Sequence, residues 1–165
     1  MKLLIRVFAF TIVFFILQNA YSQDPNFHVY LSFGQSNMEG AAPLEPQDKL
    51  GVDPRFQVLE AVNCPDLGRE IGKWYTAIPP LCRCNTGFTL TDNFGRTMVA
   101  NLPKNIKVGV VNVAVGGCKI ELFDPEKTES YTATAPDWMK GMIKEYNGSP
   151  YARLVEMAKI AQKTG

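Results

Sequence analysis

Phe27-His28-Val29-Tyr30-Leu31-Ser32-Phe33, followed by Gly34-Gln35-Ser36-Asn37-Met38-Glu39-Gly40, is the stretch whose reading decides the fold. The first seven residues are rich in β-branched and aromatic side chains, the composition of a buried strand. Gly34 ends that run and Gly40 follows six residues later, so Ser36 falls on a sharp turn at the carboxyl end of a strand. Open α/β sheets hold their ligand crevices at such strand ends. From there the Ser36 hydroxyl can enter the crevice, while its own N–H, with the side chain of Gln35 or Asn37, faces a developing oxyanion. The alternative is a plain strand-to-helix turn in which Ser36 only caps the next helix.

Further along, Lys107 to Val115 is nearly all apolar, as in a parallel strand covered on both faces, and Gly116-Gly117 terminates it. Before it, Phe94, Met98, Val99 and Leu102 fall at helical spacing, with Thr91 or Asp92 able to cap the start and Pro103 to end it. Strands alternating with helices predict a parallel α/β sheet. If the two glycine-ended strands are neighbours, Ser36 and Gly117 share a crevice. A glycine N–H then serves as an oxyanion donor with no side chain in the way. Taken alone, the glycine pair is equally a tight turn.

The remaining stretches read more quietly. Ala41 to Pro54 is a surface loop, and Phe56 to Val62 alternates like a short strand. Asn63 to Leu81 is mostly irregular. Its Trp74-Tyr75 pair is either a sugar-stacking platform or, the commoner case, packing for a loop. Residues 118 to 135 form another long loop. A helix starts near Pro136, Asn147-Gly148-Ser149 marks a turn and matches a glycosylation sequon, and the apolar residues from Tyr151 to Ala161 give an amphipathic helix ending around Thr164-Gly165.

Charge excludes some partners. Seventeen basic residues stand against sixteen acidic ones with no block of like charge, so nothing marks a nucleic-acid surface. Residues 1–22 have the plan of a signal peptide: Lys2 and Arg6, then an apolar run from Val7 to Leu17, then Ala20-Tyr21-Ser22. That run is shorter than the ~20 residues a membrane span needs. The expected product is secreted or periplasmic, has no stable membrane insertion, and begins near Gln23. Losing Lys2 and Arg6 leaves 15 basic against 16 acidic residues, a net charge of about −1. In an oxidising setting, Cys64 is expected to pair with Cys82 or Cys84 and staple residues 63 to 86. A zinc site is the weaker reading, because the spacing is wrong and no histidine is near.

Phe33 to Gly40 resembles the nucleophile block of the sialate O-acetylesterase-like branch of the SGNH hydrolases, which includes the carbohydrate esterase family 6 acetylxylan esterases. Gly87-Phe88 with Asn93-Phe94-Gly95-Arg96 resembles the opening of that family's first long helix. Val111 to Gly117 resembles its second block. The resemblance implies a three-layer α/β/α sandwich around a parallel, flavodoxin-like sheet, and removal of O-acetyl groups from carbohydrate without a metal or other cofactor. It also implies Ser36 as nucleophile, Ser36 and Gly117 N–H groups as oxyanion donors, and Gln35, Asn37 and Gly116 beside the substrate.

Two of the family's parts are missing. The single histidine, His28, lies in the strand well before Ser36 and reads as a core or edge residue. Neither a His-Gln-Gly-Glu-type block nor an acidic residue paired with a late histidine is present. Residues 23–165 are therefore expected to be the N-terminal part of a longer esterase domain, incomplete at the C-terminal side and with little activity alone. Two other readings remain: a carbohydrate-binding relative relying on Trp74, Tyr75 and Trp138, and a lipase or thioesterase of the same superfamily.

Overall fold

The computed structural model describes residues 23–165; the expected signal peptide lies outside the described residues. Four strands form one sheet: β1 (Phe27–Gly34), β2 (Phe56–Leu59), β3 (Trp74–Thr76) and β4 (Lys107–Ala114). Their spatial order is β1-β4-β2-β3. β4 runs parallel to both β1 and β2, as expected of so apolar a strand, while β3 pairs antiparallel to β2. The sheet is thus mixed rather than wholly parallel. Its antiparallel edge is Trp74-Tyr75-Thr76, within the stretch 63 to 81 expected to be mostly irregular.

Burial follows the period-two alternation of β4. Val108 and Val110 join Phe56, Val58, Leu81 and Val99 in one core, and Val111 and Val113 join Leu59, Leu122, Met139, Ile143, Leu154 and Met157 in the other. Each such side chain taken fully out of water contributes about 1.5–3 kcal/mol. The first core is covered by helix α2 (Leu90–Asn101), the second by α4 (Asp137–Glu145) and α5 (Pro150–Thr164). Two cores on opposite faces make the three expected layers. β1 is an edge strand, and Leu31 and Phe33 on it are each 47% exposed.

Local details refine the expectations. Helix α2 is capped by Thr89, not by Thr91 or Asp92. The Thr89 side chain accepts from the Thr91 and Asp92 amides, and the Asp92 carboxylate accepts from the Thr89 amide. This reciprocal capping box satisfies two N-terminal donors at once. The stretch 118 to 135 is not all loop: it holds a 3₁₀ turn at Ile120–Phe123 and a helix α3 (Thr128–Thr134). Thr128 anchors that helix by donating to the Leu122 and Asp124 carbonyls. The strand read over Phe56 to Val62 ends at Leu59, because Glu60 turns to meet Arg69 at 2.8 Å. Cys64 pairs with Cys84, one of its two expected partners, while Cys82 and Cys118 are free.

Trp74 and Tyr75 pack rather than present a platform. The Trp74 ring meets Phe27 with centroids 4.8 Å apart, and its indole N–H donates to Thr164. The Tyr75 hydroxyl accepts from the Glu70 amide. Gly109 lies beneath the Phe27–Trp74 pair, where a side chain would meet both rings at 2.7 Å.

Candidate active site

Strand register builds the site. Gly34 is paired with Ala114 at the carboxyl ends of β1 and β4, so the turns that follow the two strands emerge side by side. The Val115 amide donates to the Gly34 carbonyl at 3.1 Å, and the Cys118 thiol donates to the same oxygen at 3.7 Å. Ser36 begins a four-residue helix α1 (Ser36–Glu39), and Gly40 ends it in the left-handed region with φ 110°. Gln35, rather than Ser36, occupies the cap position and makes no side-chain cap bond. The plain capping role for Ser36 is therefore not what this turn uses. Ser36 is half-buried as a residue, and its hydroxyl donates at the surface to Gln35 Oε1 at a loose 3.3 Å.

Gly116 and Gly117 follow β4 directly. Gly117 is exposed and has φ 71°, a conformation L side chains rarely adopt. A Cβ there would also meet the Trp138 ring at 3.0 Å. Trp138 itself is 59% exposed, so an indole lies open beside the glycine turn. Asn37 is exposed, and no hydrogen bond of its side chain appears among the described contacts.

Three polar contacts fix α1 to the sheet, none of them evident from the sequence. The buried Asn112 donates from Nδ2 to the Met38 carbonyl at 2.9 Å. Thr91, at the start of α2, donates its hydroxyl to the Met38 sulfur at 3.2 Å. Glu39 is ion-paired with Arg83, which reaches Glu145 at 2.8 Å with its other terminal nitrogen. The Glu39 carboxylate lies against Gly116, where any Cβ would overlap its Oε2. Asn112 and Glu39 both fall inside the motifs read from the sequence, but only contact distances show what they hold.

His28 is six residues before Gly34 in β1, roughly 20 Å away at the rise of an extended strand. It plays no part at this end of the sheet. A cavity of about 570 Å³ lies along β1 and α5, lined by Phe27, Val29, Leu31 and Ala158, and includes none of the site residues. Another, of about 410 Å³, borders α1 and is lined by Gly40 to Leu44 with Asn85 to Gly87. Among the described residues no cluster of side chains suits a metal ion, and no helix is long and apolar enough to cross a membrane.

A serine turn beside a glycine turn offers two of the parts that acyl transfer uses, a nucleophile and backbone donors for the oxyanion. Residues 26–164 match the family model described as carbohydrate esterase, sialic acid-specific acetylesterase. Among solved structures, the chain is similar to a protein from Arabidopsis thaliana, with 20% sequence identity and a TM-score of 0.54 over 86% of this chain. The likeness covers 54% of that protein, so the chain spans about half its length. At that identity it shows the fold alone.

Proposed function

The chain belongs to the carbohydrate esterase, sialic acid-specific acetylesterase family, and on that premise we propose that it carries the nucleophile half of a secreted serine O-acetylesterase. In this reading Ser36 Oγ attacks the acetyl carbonyl, and the N–H groups of Ser36 and Gly117 take up the charge that develops on the carbonyl oxygen. The sugar hydroxyl leaves, and water hydrolyses the acetyl-enzyme. The observation that carries the proposal is the Gly34–Ala114 register, which sets the serine turn beside the glycine turn. Gln35, Asn37 and Gly116 then border the acyl group. The exposed Trp138 ring is suited to face a pyranose.

A serine hydroxyl needs a base to accept its proton. The one histidine, His28, lies far along β1, so the proposal assigns that role to a group outside these 165 residues and expects background turnover from this chain alone. Chemical rescue tests the reading directly. Imidazole in the buffer, a diffusible base of the missing kind, is expected to accelerate fluorophosphonate labelling at Ser36, with the site confirmed by mass spectrometry. Acceleration of equal size in Ser36→Ala would sink the idea. A second reading, a binding relative that keeps the crevice without the chemistry, rests on Trp138. It is favoured if acetylated xylan quenches Trp138 fluorescence while Ser36 never labels.

A further inference from the structure

Arg83 is 10% exposed and Glu39 14% exposed, so their ion pair is largely out of water. Such pairs are held only where geometry is fixed from both sides. On one side, Arg83 is locked in a tight turn: its amide donates to Thr86 Oγ1 at 3.2 Å, and its carbonyl accepts from the Thr86 hydroxyl at 2.8 Å. The next residue, Cys84, is bonded to Cys64 beyond the end of β2. On the other side, the guanidinium spans Glu39 and Glu145, and also touches the Met142 sulfur at 2.9 Å. A planar fork with separate nitrogens reaches two carboxylates in a fixed geometry that a single, rotatable ammonium nitrogen does not impose.

The consequence reaches the glycine turn. The Glu39 carboxylate, held by Arg83, rests on Gly116, the residue that leads into Gly117. Two glycines in succession have wide backbone freedom; the Cys118 amide closes the turn on the Val115 carbonyl at 3.3 Å, and the Glu39 carboxylate bears on it from outside. We propose that Arg83 is a positioning residue for the reaction of the preceding section: it pins Glu39 against Gly116 and so fixes the Gly116–Gly117 amides relative to Ser36. The inference rests on that reading for its purpose, but its geometry can be tested without any turnover.

The experiment follows the Gly116 and Gly117 amides by ¹⁵N NMR in the folded chain, with Gly109 in mid-β4 as the control. In Arg83→Met, the backbone ¹⁵N order parameters of Gly116 and Gly117 are expected to fall from the rigid range of about 0.85 to below about 0.6, while Gly109 changes little. Glu39→Gln, which keeps shape and removes charge, is expected to move the same two signals in the same direction. It also decides the matter if Arg83→Met does not fold. Arg83→Lys is expected to recover part of that order, since charge survives but the planar fork does not. Imidazole-assisted labelling of Ser36 should slow in the order Lys, then Met. Unchanged Gly116 and Gly117 signals in a folded Glu39→Gln and Arg83→Met overturn the proposal. Absence of Ser36 labelling in the unaltered chain would count against the esterase reading and leave the amide result standing.

Discussion

The Gly34 carbonyl accepts the Val115 amide at 3.1 Å, one hydrogen bond past the last paired residues of β1 and β4. That bond ties the turn carrying Ser36 to the turn carrying Gly116 and Gly117. It is a backbone contact, so side-chain substitutions in either turn leave it in place. The site can therefore be dissected one residue at a time.

Ser36→Ala is the simplest cut. The hydroxyl makes only an exposed 3.3 Å bond to Gln35, so its loss should change stability by no more than about 0.5 kcal/mol. Fluorophosphonate labelling should vanish altogether. A thermal melt beside a labelling gel separates the two effects, and a large fall in the melting temperature would mean the serine is structural after all.

Gly117→Ala attacks the same site from the other strand. The left-handed backbone at φ 71° costs a residue with a Cβ about 1–2 kcal/mol, and the Trp138 ring at 3.0 Å adds crowding. Denaturant unfolding should show a loss of that order. Gly117→Ala with Trp138→Ala should lose less than the sum of the single changes, since removing the ring relieves the contact. Strict additivity would show that the ring does not press on residue 117.

The two halves of this site were unequally legible from sequence. The β1 run, the Gly-bounded serine turn and the apolar β4 each announce themselves locally, through alternation or a glycine stop. Their adjacency follows from parallel α/β logic. What could not be read was which charges go inside. Arg69 is buried in the stretch that sequence left irregular, where its guanidinium meets Glu60 at 2.8 Å and the Pro80 carbonyl at 2.9 Å. Arg83 likewise serves residues 44 and 62 positions away in the chain. Long-range polar partners leave no periodicity, so only the folded chain reveals them. Helix α3 has a different reason: of its seven residues three are Thr, one Ser and one Tyr against a single Ala, which makes no apolar stripe.

Removing the staple gives a third expectation. Cys64 and Cys84 are separated by 20 residues, and closing a loop of that size contributes about 3 kcal/mol in the chain-entropy account. Cys64→Ala with Cys84→Ala should lower stability by roughly 2–4 kcal/mol in denaturant unfolding. The β1–β4 ladder contains neither residue, so the exchange protection of its amides should fall only in step with global stability. Selective loss at β1 would show that the disulfide holds the far edge of the sheet as well.

Alkaline pH should probe the core through Cys82. Burial pushes its thiol up to about 12, against a bond from the Tyr146 hydroxyl that works in the opposite direction; Tyr146 is itself raised well above its ordinary value, again chiefly by burial. The two side chains touch at 3.3 Å and both reach the Ala114 carbonyl at the end of β4. Both groups bind their protons more tightly folded than unfolded, so their contribution to stability is fully present below the ordinary thiol value of 9.0. It is lost as pH rises from there toward the folded values, because the unfolded chain ionises first. Denaturant midpoints should therefore hold steady to about pH 9 and then decline, and Cys82→Ala should flatten part of that decline. The raised thiol stays protonated through neutral pH and is buried, so a thiol reagent should find it only after unfolding. Rapid modification of Cys82 in the native protein, or stability that rises above pH 9, would contradict a sealed thiol beneath the end of β4.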